Sequence, residues 1–299
     1  MNNFIEYFYN MRVDNIICNK EYCSFVYDEY MYRLYVIDET IDSNFLINLE
    51  KRLLGNTLIN EIIFNRDGSI VSNYNNNQYM LMKIYANTKK KITLDEINYL
   101  ASMWNVRNLK INWGILWERK IDYLEKLINE NGKKYPIITD SFNYFVGMAE
   151  NAISYYNNIV FSDDYTCVIS HKKIRFSDTT EVIYNPLNII FDYRVRDIAE
   201  YIKNAFFNDN KSIFKEIDYY FRNYPLNQTD ARLLVSRLMY PSFYFEMYED
   251  ILIDNVDEKI IIKTVNRLTE YEEYLGSVIG YLNKLYGVQE IKWLNHYYK

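Results

Sequence analysis

CVISHKKIRFSDTTEVIYNPLNIIFDYRVRDIAE, residues 167–200, is the stretch whose reading decides the fold. Residues 166–170, with β-branched Thr166, Val168 and Ile169, read as a short strand leading to His171. A second short strand is expected at 174–176. An apolar run then covers 187–191 and ends on Asp192. From 195 to 206 the pattern turns helical, with Ile198, Ala199 and Ile202 on one face. His171, Lys173, Asp178 and Asp192 are thus the polar side chains at strand ends and intervening turns. Two carboxylates can hold a hard cation, whereas a lysine is a cation with no lone pair until it is deprotonated.

On the N-terminal side, strands are predicted at 22–27 and 32–37, joined by an acidic turn at Asp28-Glu29. Residues 44–54 place Phe45, Leu46, Leu49 and Leu53 at helical spacing. Strands follow at 60–65 and 78–85, the second after an Asn-rich turn. Beyond Thr93 long helices take over. They are expected at 94–104, 113–129 (closed by Asn131-Gly132 as a left-handed cap), 141–156, 195–206, 211–223, 228–239, 243–249 and 259–285. The aromatic group Tyr240, Phe243, Tyr244, Phe245 and Tyr248 reads as core packing. The chain divides into a strand-rich segment, 1–92, and a helical one, 93–299.

Bulk properties narrow the function. With 299 residues, 49% hydrophobic and 25% charged, the chain can bury a sizeable core. A net charge of −6 argues against nucleic acid, which needs a basic surface. Lys89–Lys91 reads as a solvated turn. Cys18, Cys23 and Cys167 are an odd, unclustered set, read as free thiols of a reducing compartment. The opening residues lack a cationic then apolar signal pattern, and no apolar run approaches the roughly 20 residues of a membrane helix, so no transmembrane segment is expected. With two histidines, His171 and His296, a paired-His metal site is not expected. The 32 tyrosines fit AT-rich codon usage or a tyrosine-rich assembly surface. Composition does not separate the two.

The order of strands then helices, with the 167–200 pattern, resembles the protein kinases and the aminoglycoside phosphotransferase-like kinases. In those enzymes a strand leads to His-x-Asp, an Asn lies five residues after that Asp, and a second strand ends in a metal-binding Asp. The resemblance puts His171 in the His position, Lys173 in the catalytic Asp position, Asp178 in the Asn position and Asp192 in the metal position. A lysine cannot accept the proton of an attacking hydroxyl unless its pKa falls steeply. The glycine-rich phosphate loop is missing too, because the first glycine of the chain is Gly55. Tyr35, or Arg33 with the register moved by two, falls where the phosphate-binding lysine would be, and Glu50 falls where its partner would be.

The wider pattern resembles the YutH-type spore coat proteins, grouped with CotS among kinase-like proteins. It is carried by 117–125 (WERKIDYLE), 141–153 (SFNYFVGMAENAI), 191–200 (FDYRVRDIAE), 237–246 (RLMYPSFYFE) and Trp293-Leu294. The resemblance implies an α+β, bilobal protein-kinase-like fold with a small strand-rich N-lobe and a larger, mainly helical C-lobe. It implies synthesis in the mother-cell cytoplasm, then deposition in the spore coat. With the site degenerate, the expected function is that of a pseudokinase that binds other spore coat proteins and needs no cofactor. The alternative is an atypical phosphotransferase or nucleotide-binding switch using ATP and Mg²⁺, with Asp178 and Asp192 as metal ligands. The bland counterparts are a bracing His171 and an internal salt bridge of the carboxylates with Lys173.

Overall fold

A computed structural model describes all residues except 20, 38–40, 56–57, 86–88, 108, 163–164, 176, 254–255 and 298–299. The elements run α1 (Asn2–Tyr9), β1 (Ile17–Cys18), β2 (Tyr22–Tyr27), β3 (Tyr30–Ile37), α2 (Ser43–Leu53), β4 (Glu61–Ile63), β5 (Ser72–Tyr74), β6 (Asn77–Ile84), α3 (Leu94–Met103) and β7 (Asn105–Arg107). They continue with α4 (Trp113–Asn131), α5 (Pro136–Asn157), β8 (Thr166–His171), α6 (Thr180–Ile183), β9 (Ile189–Asp192), α7 (Arg196–Phe207), α8 (Ile213–Asn223), α9 (Gln228–Met239), α10 (Ser242–Leu252), α11 (Ile262–Asn266) and α12 (Leu268–Tyr286). Two compact units result. The first joins Met1–Ile92 to His171–Lys173 and Asp178–Ile189. The second holds Thr93–Ser170, Ile174–Ser177 and Ile190–Lys299.

The first unit is built on an antiparallel sheet ordered β1-β2-β3-β6-β4, with β5 also on β6. Two hairpin turns set its register. Asp28 and Glu29 (φ 48° and 66°) close β2 onto β3, and Asn75 and Asn76 (φ 48° and 63°) close β5 onto β6. Paired positive φ angles match the right-handed twist of the flanking strands. Alternation along β3 then sorts side chains by face. Tyr32 and Leu34 join Phe4 and Ile5 of α1 in one core cluster. Tyr35 and Ile37 join Leu46 of α2, with Met80, Met82 and Ile84 of β6, in the other. Helix α2 starts where Asp42 accepts the Phe45 amide at 3.0 Å.

The second unit is helical around the sheet β7-β8-β9. Thr93 and Glu96 form a reciprocal capping box on α3, and the Asn112 side chain caps α4 at 3.1 Å. Tyr240, Tyr244, Phe245 and Tyr248 are buried as expected, with Phe145 stacked on Tyr244 at 3.5 Å between ring centroids.

Four local expectations are corrected. Ile174 and Arg175 are not in a strand, and Phe176 lies outside the described residues. The helix expected over 259–285 breaks at Arg267 (φ −105°). Its guanidinium instead reaches Asp209 and Glu270, each at 2.9 Å, over the Phe206 ring. Gly132 is right-handed (φ −56°), not a left-handed cap. A Cβ there would sit 2.7 Å from Ile128 Cγ1, so close approach, not backbone conformation, is what calls for glycine. Finally, Cys18 and Cys23 are bonded as a disulfide. Five positions apart in sequence, they become cross-strand partners through the β1–β2 register, which a count of spacings does not show. Cys167 is free and buried, its thiol pushed up to about 12 by burial and the nearby Asp192. Among the described residues no helix is long and apolar enough to cross a membrane.

Candidate functional site

Strand β8 delivers His171 at its end, and the imidazole is buried. Its Nε2 donates to the Ile183 carbonyl of α6 at 3.0 Å, a bond within the first unit. Two residues on, Lys173 is exposed and its backbone is fixed at both ends by one side chain. Asn188 accepts from the Lys173 amide at 3.0 Å and donates to the Lys173 carbonyl at 2.8 Å and the Val182 carbonyl at 3.1 Å. Asn188 was not singled out in the sequence, because amide bridging of a loop leaves no spacing signature. Asp178 is half-buried, and its carbonyl accepts from the Ile92 amide at 3.1 Å. These three positions belong to the first unit and Asp192 to the second.

Asp192 ends β9 and is 3% exposed. Both its oxygens are engaged within its own unit. Oδ1 accepts from Trp113 Nε1 at 3.0 Å and from the Tyr193 amide at 2.7 Å. Oδ2 accepts from Arg196 Nη1 at 2.7 Å in an ion pair. A carboxylate that binds a hard cation needs outward lone pairs. This one aims them at an indole, an amide and a guanidinium. Among the described residues no group of three or more His, Cys, Asp or Glu side chains is placed to hold a metal, and the His296 side chain lies outside them.

Tyr35 is buried in the α2-facing core, its hydroxyl pushed up to about 12 by burial. Arg33, two residues earlier on the same face, is ion-paired to Glu181 of α6. Glu50 is buried on α2 and accepts the Ile62 amide at 3.3 Å. Burial raises its carboxyl from 4.5 to about 7. A raised acid stabilises the fold fully below its unfolded pKa, and that contribution is lost as pH climbs through the folded value. Glu50→Gln keeps the acceptor without the charge. It should therefore match wild type near pH 4.5 and gain on the order of 1 kcal/mol above pH 7, after solvent screening. Melting temperatures of the pair from pH 4.5 to 8 check this. A constant difference would remove Glu50 as the cause.

Sequence reading also missed a buried ionic network in the second unit. Glu200 and Lys203 of α7 meet Arg237 of α9, with Glu200 Oε1 at 3.0 Å from Lys203 Nζ and 2.7 Å from Arg237 Nε. Lys203 also donates to the carbonyls of Arg237 and Tyr240 and to Ser242 Oγ, at 3.1, 3.0 and 2.7 Å. Ser242 Oγ donates to Glu200 Oε2 at 2.8 Å. The Arg237 guanidinium lies 5.2 Å from the Trp113 ring centroid, so this network backs the residue that holds Asp192.

An aminoglycoside phosphotransferase from Alicyclobacillus acidocaldarius superposes with a TM-score of 0.64 at 8% identity, over 91% of this chain and 92% of that one. A spectinomycin phosphotransferase solved with ADP and spectinomycin gives 0.56 at 12% identity, over 90% and 92%. An amicoumacin kinase gives 0.55 at 11%, over 87% of each. At such identities they show the fold alone, an α+β protein-kinase-like fold. In sequence, the endospore coat-associated protein YutH of Bacillus subtilis (strain 168) is 28% identical over 207 residues, spanning 61% of this chain and 61% of that protein. The profile of the family described as "Spore coat putative kinase YutH" matches residues 2–279, and this chain belongs to that family.

Proposed function

We propose that this protein is a non-catalytic, kinase-fold component of the spore coat, a pseudokinase that acts by binding other coat proteins. It would be made in the mother-cell cytoplasm and then deposited in the coat, with which the Bacillus subtilis relative is associated by name. The observation that carries the reading is Asp192. Asp192, which the sequence resemblance puts in the metal position, is buried and spends both oxygens on Trp113, Tyr193 and Arg196. Releasing it to a cation would take an acceptor from a guanidinium and an indole N–H. Lys173 in place of a proton acceptor and the absence of glycine before Gly55 point the same way. The reading invokes no metal and no ATP.

The test is calorimetric titration of the purified protein with ATP, alone and with Mg²⁺ or Mn²⁺. No heat of binding is expected up to millimolar nucleotide. Metal-dependent binding that disappears in Asp192→Asn would overturn the proposal. It would favour the competing reading, a metal- and nucleotide-dependent phosphotransferase or switch using Asp178 and Asp192.

A further inference from the structure

On the α2-facing side of the first unit's sheet, Arg33 is the single cation that β2, β3 and β6 supply among the described residues. The other cation of these strands, Lys83, alternates to the opposite face between Leu81 and the β6 end, with its ammonium 3.3 Å from the Tyr30 ring centroid. The Arg33 guanidinium lies 4.1 Å from the Tyr22 ring centroid, and Tyr22 packs on Tyr35. Arg33 Nη1 is paired with Glu181 Oε1, the two side chains 14% and 8% exposed. Yet Arg33 Nε is buried with no hydrogen-bond partner. One edge of a five-donor fork is filled by a single carboxylate oxygen, and a further donor of the same plane is left unspent. That mismatch suits a larger oxyanion, since phosphate can take two or three donors of a guanidinium at once.

Glu181 is not a floating surface group. The backbone around it is pinned inside the same unit. The Thr180 amide donates to the Lys90 carbonyl at 2.7 Å and the Asn60 amide to the Tyr184 carbonyl at 2.9 Å. Asn188 and His171 donate to the carbonyls of Val182 and Ile183. We infer that Glu181 is a built-in occupant of an oxyanion site centred on Arg33, a carboxylate that stands where a phosphate group would bind and keeps the strand unit closed to phosphorylated ligands. This deepens, and rests on, the non-catalytic reading.

Inorganic pyrophosphate, without metal or nucleotide, is the probe. Wild type should give no binding heat at millimolar pyrophosphate in low salt. Glu181→Gln removes the competing charge and should bind about tenfold to a hundredfold tighter than wild type, the worth of one charge-assisted hydrogen bond. Adding Arg33→Met should abolish that gain. A folded Glu181→Gln protein as silent as wild type would overturn the inference, as would binding that survives Arg33→Met. If Glu181→Gln does not fold, Glu181→Ala, which removes the carboxylate altogether, is read instead. A pyrophosphate-dependent rise in its melting temperature supports the inference, and no rise overturns it. Neither result touches the ATP titration of wild type, so the two proposals fail separately.

Discussion

Lys203→Met is expected to destabilise the second unit by about 3–5 kcal/mol, the cost of breaking a buried ion pair from one side. Lys203 is 1% exposed, and its ammonium makes four contacts that close the space between α7, α9 and the start of α10. Methionine fills much the same volume. It leaves two buried carbonyls, Ser242 Oγ and a buried carboxylate short of a donor. The pH dependence carries a second signature. Burial alone would raise the Glu200 carboxyl, but Lys203 and Arg237 hold it down at about 2. A depressed acid contributes stability above its unfolded pKa of about 4.5 and loses it as pH falls through the folded value. The gap between wild type and Lys203→Met should therefore be widest near neutral pH and narrow below pH 4. Denaturant unfolding followed by tryptophan fluorescence reads both, since Trp113 and Trp117 lie beside Arg237. A loss under 1 kcal/mol would mean that surrounding packing, not the network, holds these helices.

The line between what the sequence disclosed and what it hid runs between local and distant partners. Strand β2, helix α9 and the two tight turns follow from alternation, helical period and turn residues, all properties of a few neighbouring positions. Half of each site was local too. Arg196, the first residue of α7, is four residues from Asp192 at the end of β9, and Lys203 is three from Glu200 within α7. The other half was not. Trp113 reaches Asp192 from 79 positions away, and Arg237 reaches Glu200 from 37. Sequence reasoning could put Asp192 in a metal position by resemblance. It could not see that an indole and a guanidinium already occupied its oxygens. The same limit explains the cysteines and Arg267, whose cross-strand and inter-helix partners override spacing and helical period.

Asp192→Asn is expected to lower stability by about 1–3 kcal/mol, because the amide loses the charge that Arg196 faces while keeping an acceptor for Trp113. Asp192→Ala should cost more, as it removes the acceptor of the indole N–H and of the guanidinium together. The sign is the informative part. Side chains held for chemistry are commonly frustrated in the resting fold, so removing one tends to leave stability unchanged or raise it. A carboxylate kept for architecture does the opposite. Thermal unfolding with and without added Mg²⁺ separates the two cases. If Asp192→Asn costs stability and Mg²⁺ leaves wild type unmoved, Asp192 works as a structural anchor joining the end of β9 to α4 and α7. If the substitution instead stabilises the protein, or Mg²⁺ raises the wild-type midpoint in a way the variant loses, the carboxylate is a working ligand and the non-catalytic reading falls with it.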